Sequence, residues 1–318
     1  MKVFVAGHNG MVGSAVVRRF NKSSSISPLL SDRRVDYTKT KSAERMLHKY
    51  RPEAAVICAA KVGGIHANNA HRADFIYTNL AIQTNWIKAA HDYGLRKLIL
   101  LSSSCVYPKG AKQPIRESQM LTGDFEDTNR AYATAKVAGA EMCKAYFHQH
   151  GCDYYALVPP NLFGQHDNYR YEESHAVASI IRKVYEARDG GVINIWGTGT
   201  PRRELMHVDD AAAAIEFSMR EIGAHDVYPY GVLNAGTGEE WTIKAIADYL
   251  IEVSGKNLSI NLNGKMDGMP RKVMDSSRIG ELGWSGPAKG TRDRLREAYL
   301  WFDAAASKGL KGAGQLRV

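Results

Sequence analysis

The sequence lacks several features that would have fixed its class at once. No apolar run reaches the ~18–20 residues needed for a bilayer-spanning helix, so helical membrane spans are not expected. The four cysteines, Cys58, Cys105, Cys143 and Cys152, show no C-x-x-C spacing, which points away from a structural zinc site and from a disulfide framework, and no metal is expected. Lysine and arginine never run beyond two in succession, and none of the usual nucleic-acid-binding modules is present. The formal charge of +9, from 42 basic and 33 acidic residues, is therefore read as attraction for small polyanions such as dinucleotides and nucleoside diphosphates. There is no internal repeat, linker or low-complexity tract. The N-terminal MKVFVAG enters a strand-like run directly, without the apolar stretch and small-residue site of a signal peptide, so a cytoplasmic protein is expected.

What is present is alternation. At 318 residues, 44% hydrophobic and 24% charged, the chain can bury a sizeable core. Short apolar runs at Val3-Phe4-Val5-Ala6, Pro28-Leu29-Leu30, Ala55-Val56-Ile57-Cys58, Leu98-Ile99-Leu100-Leu101 and Tyr155-Ala156-Leu157-Val158 read as buried parallel strands. Helical stretches are predicted between them at 11–21, 39–49, 80–93 and 131–149. The result is an α/β protein of Rossmann type, a doubly wound parallel sheet. After about residue 160 the alternation loosens into Gly-, Pro- and Trp-containing loops. The expected division is a dinucleotide-binding domain over 1–160 and a smaller C-terminal substrate-binding lobe over 161–318, with segments that can return to the first domain. The tail from Ala304 to Val318, rich in Gly and Lys, is expected to be loose.

Gly7-His8-Asn9-Gly10-Met11-Val12-Gly13 follows the first strand and opens a helix, the context in which a glycine loop brings a pyrophosphate to unpaired helix N–H groups. Its G-x-x-G-x-x-G spacing differs from the more familiar G-x-G-x-x-G, but the need for small residues is the same. Beyond the second strand the message is mixed. Asp32 stands 19 residues after Gly13, as an acid accepting from an NAD ribose should, yet Arg33 and Arg34 follow and suit the 2′-phosphate of NADP. Asp36 is a candidate for the adenine edge or for a local cap.

Tyr132-Ala133-Thr134-Ala135-Lys136 puts a phenol and an ammonium four residues apart, on one helix face. Y-x-x-x-K alone is a weak signal. Here it is joined by Ser102-Ser103-Ser104-Cys105 at the carboxyl end of a strand, where doubly wound sheets place their ligands. Lys136 and a positive nicotinamide ring would lower the phenol's pKa and let Tyr132 exchange a proton with a carbonyl or alcohol polarised by Ser103. The chemistry indicated is carbonyl–alcohol redox.

That combination resembles the extended short-chain dehydrogenase/reductase superfamily, over the chain to about residue 303. Within it, six collinear strings resemble the GDP-L-fucose synthase family: GHNGMVGSA from Gly7, AAKVGGI from Ala59, SSCVYPK from Ser103, NLFGQHDN from Asn161, WGTGTPRRE from Trp196 and DGMPRKVMD from Asp267. The resemblance implies conversion of a GDP-4-keto-6-deoxy sugar with NADP(H), NAD(H) not being excluded. It implies Ser103, Tyr132 and Lys136 as a redox triad, with Cys105 and His175 moving protons at C3 and C5 of the sugar. Cofactor contacts are implied for Gly7, Asn9, Gly10, Met11, Val12 and Gly13 in the loop, for Asp32, Arg33 and Asp36 near the adenosine, and for Ala59, Leu101, Ser102, Lys136, Asn161, Leu162 and His175. Lys183, Trp196, Arg203 and Asp267 are implied for the GDP-sugar. A homodimer paired through the helices at 80–93 and 131–149 is expected on the same ground.

The sequence departs from the family's pattern at four places. Asn9 stands where an Arg is usual and Asp32 where a basic residue is frequent, which bears on NADPH preference. Pro160 replaces a Thr and Gln165 a Pro, which bears on the sugar pocket. Two rival readings stand beside the main one. One is a relative acting on another GDP-4-keto sugar of colitose or heptose type, and the other is a non-catalytic dinucleotide-binding sensor.

Overall fold

The structure is a computed structural model that describes residues 1–31, 34–171, 173–264, 267 and 269–308. Its first half is built of strand–helix units: β1 (Lys2–Ala6), α1 (Met11–Phe20), β2 (Ser27–Leu29), α2 (Thr40–Tyr50), β3 (Ala54–Ile57), α3 (Ile65–Ala70), α4 (Arg72–Tyr93), β4 (Lys97–Leu101), α5 (Arg130–His150) and β5 (Asp153–Val158). The second half contains β6 (Asn161–Phe163), α6 (Ala176–Glu186), β7 (Val192–Ile195), β8 (Arg202–His207), α7 (Val208–Glu221), α8 (Ala224–Val227) and β9 (Val232–Asn234). It ends with β10 (Glu240–Thr242), α9 (Ile243–Ser254), β11 (Ser259–Leu262), β12 (Arg271–Lys272), α10 (Ser277–Glu281) and α11 (Thr291–Ser307).

The central sheet is parallel throughout, in the order β2-β1-β3-β4-β5-β9. Its strands read as continuous apolar runs because successive residues face opposite helical layers. Phe4, Ala55, Ile57, Leu98 and Leu100 pack with α2, α4 and α5, while Val3, Val5, Val56, Ile99 and Leu157 pack with α1 and α7. Pro28 is tolerated because β2 is an edge strand, where a missing ladder donor costs little. The order reverses between β1 and β3 on one side and β2 on the other, so a crevice opens beyond the carboxyl ends of β1, β3 and β4.

Four elements of the second half, β9, α7, α8 and α10, complete this sheet and its covering layer. The remainder forms a four-stranded sheet in which β8 is flanked by β10 and β12 and also pairs β6, together with the two-stranded β11-β7. These surround a separate core containing Val177, Ile181, Ile195, Leu205, Leu250 and Phe302.

Two expectations are corrected here. The helix placed at 80–93 begins at Arg72, eight residues earlier, because the polar residues of its first turns do structural work: the buried Asn79 side chain accepts from Lys61 N and donates to Lys61 O, holding the β3–α3 loop. The tail is not loose from Ala304, since α11 runs on to Ser307 with Phe302 and Ala305 buried; 309–318 lie outside the described residues.

Candidate active site

A single cleft of about 1080 Å³ runs from the glycine loop, past the ends of β3 and β4, to the second-half sheet. At one end, α1 begins at Met11 with, among the described residues, no side chain capping its first N–H groups, and no acidic residue in its first turn. These donors are therefore left for an anion. The loop is shaped for close approach. A Cβ on Gly13 would stand 2.1 Å from Gly7 O, and one on Gly7, whose φ is +83°, would stand 2.6 Å from Ala59 N. Asn9, Gly10, Met11 and Val12 line the same wall, as do Ala59, Leu101 and Ser102. The Nδ1 of His8 and the Oγ of Ser102 are buried and have no partner among the described residues. A tight glycine cradle, an open helix N-terminus and orphaned polar atoms together fit a bound dinucleotide.

Asp32 and Arg33 lie outside the described residues. Arg34 and Asp36 line the cleft, and Asp36 accepts from Thr38 N at 3.0 Å and from Thr38 Oγ1 at 2.6 Å. Both bonds hold its carboxyl below the usual carboxylate range, so the local-cap role is real.

At the middle of the cleft, β4 ends in a short 3₁₀ turn, Ser104–Val106. Ser103 caps it, its hydroxyl accepting from Cys105 N at 3.3 Å, and this fixes the direction of the Ser103 side chain. Tyr132 and Lys136 lie one turn apart on α5. The Tyr132 hydroxyl bonds the Ser103 side chain, while the Lys136 ammonium donates to Leu101 O at 2.8 Å and sits 5.9 Å from the phenol ring centroid. Lys136 is 2% exposed, and burial lowers its pKa to about 8.

The phenol behaves differently from the sequence-based expectation. Burial is the largest influence and pushes it well up, with the nearby Cys105 adding to the rise and the bond from Ser103 opposing it. In the chain by itself Tyr132 is thus a firmly protonated acid. Cys105 Sγ accepts from Asn129 Nδ2 at 3.4 Å and lies 3.7 Å from Lys272 Nζ. Sequence reasoning missed both neighbours. Asn129 had a visible signal, standing three residues before Tyr132 and so on the same helical face; Lys272 lies inside the DGMPRKVMD string, but its approach to Cys105 spans 167 residues.

The far end of the cleft comes from the second half. Asn161 and Leu162 enter from β6, with Pro160 before them, and His175 sits at the N-cap of α6. Gln165 is not among the lining residues. Lys183 donates to Asn194 O at 2.8 Å. Arg203 donates to Met269 O at 2.6 Å and to Arg202 O at 2.8 Å, and burial lowers both cations' pKa. Trp196 is 65% exposed at the rim and is therefore not a core residue. Asp267 lines the rim too, but its carboxylate accepts from Thr198 N at 2.9 Å and Thr198 Oγ1 at 2.6 Å and so fixes the loop that carries Trp196. The structure brings these residues, Gln165 excepted, to one cavity; what each does there is a separate question.

A family model described as NAD dependent epimerase/dehydratase matches residues 3–236. "GDP-L-fucose synthase 1" of Arabidopsis thaliana is 44% identical over 95% of this chain and 93% of its own. The chain belongs to the NAD dependent epimerase/dehydratase family, in its GDP-L-fucose synthase branch. The GDP-L-fucose synthase of Escherichia coli (strain K12) is 40% identical over 95% of this chain and 96% of that one. Among solved structures, a GDP-6-OMe-4-keto-L-xylo-heptose reductase from C. jejuni superposes with a TM-score of 0.89 at 28% identity, covering 95% of this chain and 97% of that chain. These relatives share most of their length with the present chain, and the heptose reductase shares its fold.

Proposed function

We propose that this chain converts GDP-4-keto-6-deoxy-D-mannose to GDP-L-fucose by epimerisation at C3 and C5 followed by NADP(H)-dependent reduction at C4. What carries the reading is the meeting of Ser103, Cys105, Tyr132, Lys136 and His175 around one cleft, with the glycine cradle at one end and Trp196, Arg203 and Lys183 at the other. A simple ketoreductase needs only the first, third and fourth of these residues.

The 4-keto group acidifies the C–H bonds on either side of it, so Cys105 and His175 are the groups assigned to remove and return protons at C3 and C5. NADPH, when bound, supplies the hydride that C4 takes up. Tyr132 gives its hydroxyl proton to the C4 oxygen as that bond forms, and Ser103 holds the same oxygen in place. Lys136, anchored on Leu101 O, places positive charge under the phenol. Arg203 and Lys183 are the cations for the diphosphate, and Trp196 offers a flat wall to the guanine. The dinucleotide half is assigned to residues 1–160 and the sugar half mainly to 161–318. The protein is proposed to act as a homodimer paired through α4 and α5.

A related GDP-4-keto sugar is kept as a second substrate reading on one observation, that Pro160 lines the cleft where the family usually has Thr. The test is to incubate the enzyme with NADPH and GDP-4-keto-6-deoxy-D-mannose in heavy water and to analyse the product by NMR. Deuterium at both C3 and C5 of GDP-L-fucose is expected. Reduction without deuterium at either carbon would leave a plain reductase, and no turnover beside activity on a heptose or dideoxy analogue would move the assignment to that sugar.

A further inference from the structure

Cys105 is gripped from two directions by residues outside its own turn. Asn129, where α5 begins, donates to Sγ at 3.4 Å, and its Oδ1 is buried without a partner among the described residues. The other residue is Lys272 on β12, with Nζ 3.7 Å from Sγ. The lysine is aimed by an unusually well-fixed backbone. Val273 N donates to Gln113 Oε1 at 2.8 Å, Ile115 N to Val273 O at 2.9 Å, and Asp275 N to Ile115 O at 2.8 Å. Met274 N donates to the buried Glu204 at 2.8 Å, and Asn234 Nδ2 ties Ile115 O to Asp275 O at 3.0 Å each. In the β12–β8 register Lys272 lies opposite Arg203, so the two cations share one sheet face toward the cleft.

We propose that Lys272 and Asn129 are positioning residues that hold Cys105 as a thiolate, ready to take a proton from carbon beside the 4-keto group. This deepens the epimerase reading and rests on it. Neither residue is itself the base: an ammonium has no free lone pair and a carboxamide nitrogen is a donor. The opposite charge of Lys272 favours the anion, and the N-terminal end of α5, where Asn129 sits, carries positive dipole. Tyr132 on α5 also faces the sulfur, and a protonated phenol does not oppose the thiolate. In the step itself the C–H bond breaks, an S–H bond forms, and the electron pair moves onto the carbonyl oxygen as an enolate. Return of a proton to carbon restores the ketone.

The test uses the whole chain without substrate, so that it reads the thiol rather than turnover. Iodoacetamide alkylation of Cys105 is followed by peptide mass spectrometry between pH 6 and 9; mapping separates it from the other three cysteines. Lys272→Met should slow alkylation at pH 7 about tenfold and move the profile to higher pH, Lys272→Arg should restore it to within about threefold, and Asn129→Leu should slow it about threefold, as loss of one charge pair and one weak donor at a half-exposed site implies. Unaltered rates in both Lys272→Met and Asn129→Leu, each checked for native circular dichroism and NADPH binding, would overturn the proposal. So would the profile of an ordinary thiol, midpoint about 8.5, in the unaltered protein. A failure of deuterium exchange in the unaltered enzyme would sink the epimerase reading instead, and the alkylation result distinguishes the two.

Discussion

Lys136 is the most exacting place to test the site's electrostatics. Its ammonium is buried, donates to Leu101 O, and has a pKa of about 8 where an unburied lysine has 10.5. The folded value is depressed, so between about pH 8 and 10.5 the unfolded chain binds more protons than the folded one, and stability must rise with pH across that window. Integrated at 1.36 kcal/mol per pH unit, the gain between pH 7 and 9.5 is about 2 kcal/mol. For a chain of this length that is a rise in melting temperature of roughly 3 °C. Other groups titrate in the same range, so the quantity to read is a difference. Lys136→Met keeps the aliphatic stem but has nothing to titrate, and the unaltered protein should gain about 2 kcal/mol on it between the two pH values. Urea melts of both proteins without nucleotide, at pH 7 and 9.5, give the number. Parallel pH dependences would show that the ammonium is not strained by burial, and the account of Tyr132 and Lys136 as a desolvated pair would fall with it.

Three further outcomes are expected. Tyr132→Phe removes the proton donor for C4 and should lower turnover by a factor on the order of 10²–10⁴ while leaving NADPH affinity, read by nucleotide fluorescence, nearly unchanged; near-normal turnover refutes the assignment. Gly13→Ala places a Cβ 2.1 Å from Gly7 O, so the loop must shift and NADPH affinity should fall at least about tenfold in the same titration. Light scattering at micromolar concentration should give a dimer mass, and a monomer would refute pairing through α4 and α5.

The parallel sheet was legible because burial on both faces leaves an unmistakable mark: Val3 to Ala6 and Ala54 to Ile57 are apolar at every position, and each run is followed by a helix. The start of α4 was not, because Asp74 and Asn79 look like loop residues until one sees Asn79 spending its amide on the backbone of Lys61. Nor was it legible that β9 is a segment that returns, since its three residues Val232–Asn234 are too few to show any period. Its buried Asn234 departs from a strand's usual apolar character for a reason found only in three dimensions: it accepts from Tyr107 OH at 2.5 Å and donates to Ile115 O and Asp275 O.

The site divides along the same line. Tyr132 and Lys136 share a helix, and Ser103 and Cys105 share a capped turn, so their spacing carries information that a reader of the chain can use. The direction of a pKa is another matter. Four residues of separation gave the correct helical face for Lys136, yet its ammonium is drawn to Leu101 O, and the depth of Tyr132 rather than its neighbour's charge sets the phenol high. Proximity is written in the sequence, whereas solvent exclusion is a property of everything packed around the pair. Lys272 is the limiting case, because nothing local distinguishes it from Arg271 beside it, which turns outward to Glu240 at 2.7 Å. Alternation along β12 sends one cation to the surface and the next toward Cys105, and only the pairing of β12 with β8 decides which. A one-residue slip in that register would exchange their places, so the surroundings of Cys105 depend on how a two-residue strand is pinned, as much as on the cysteine itself.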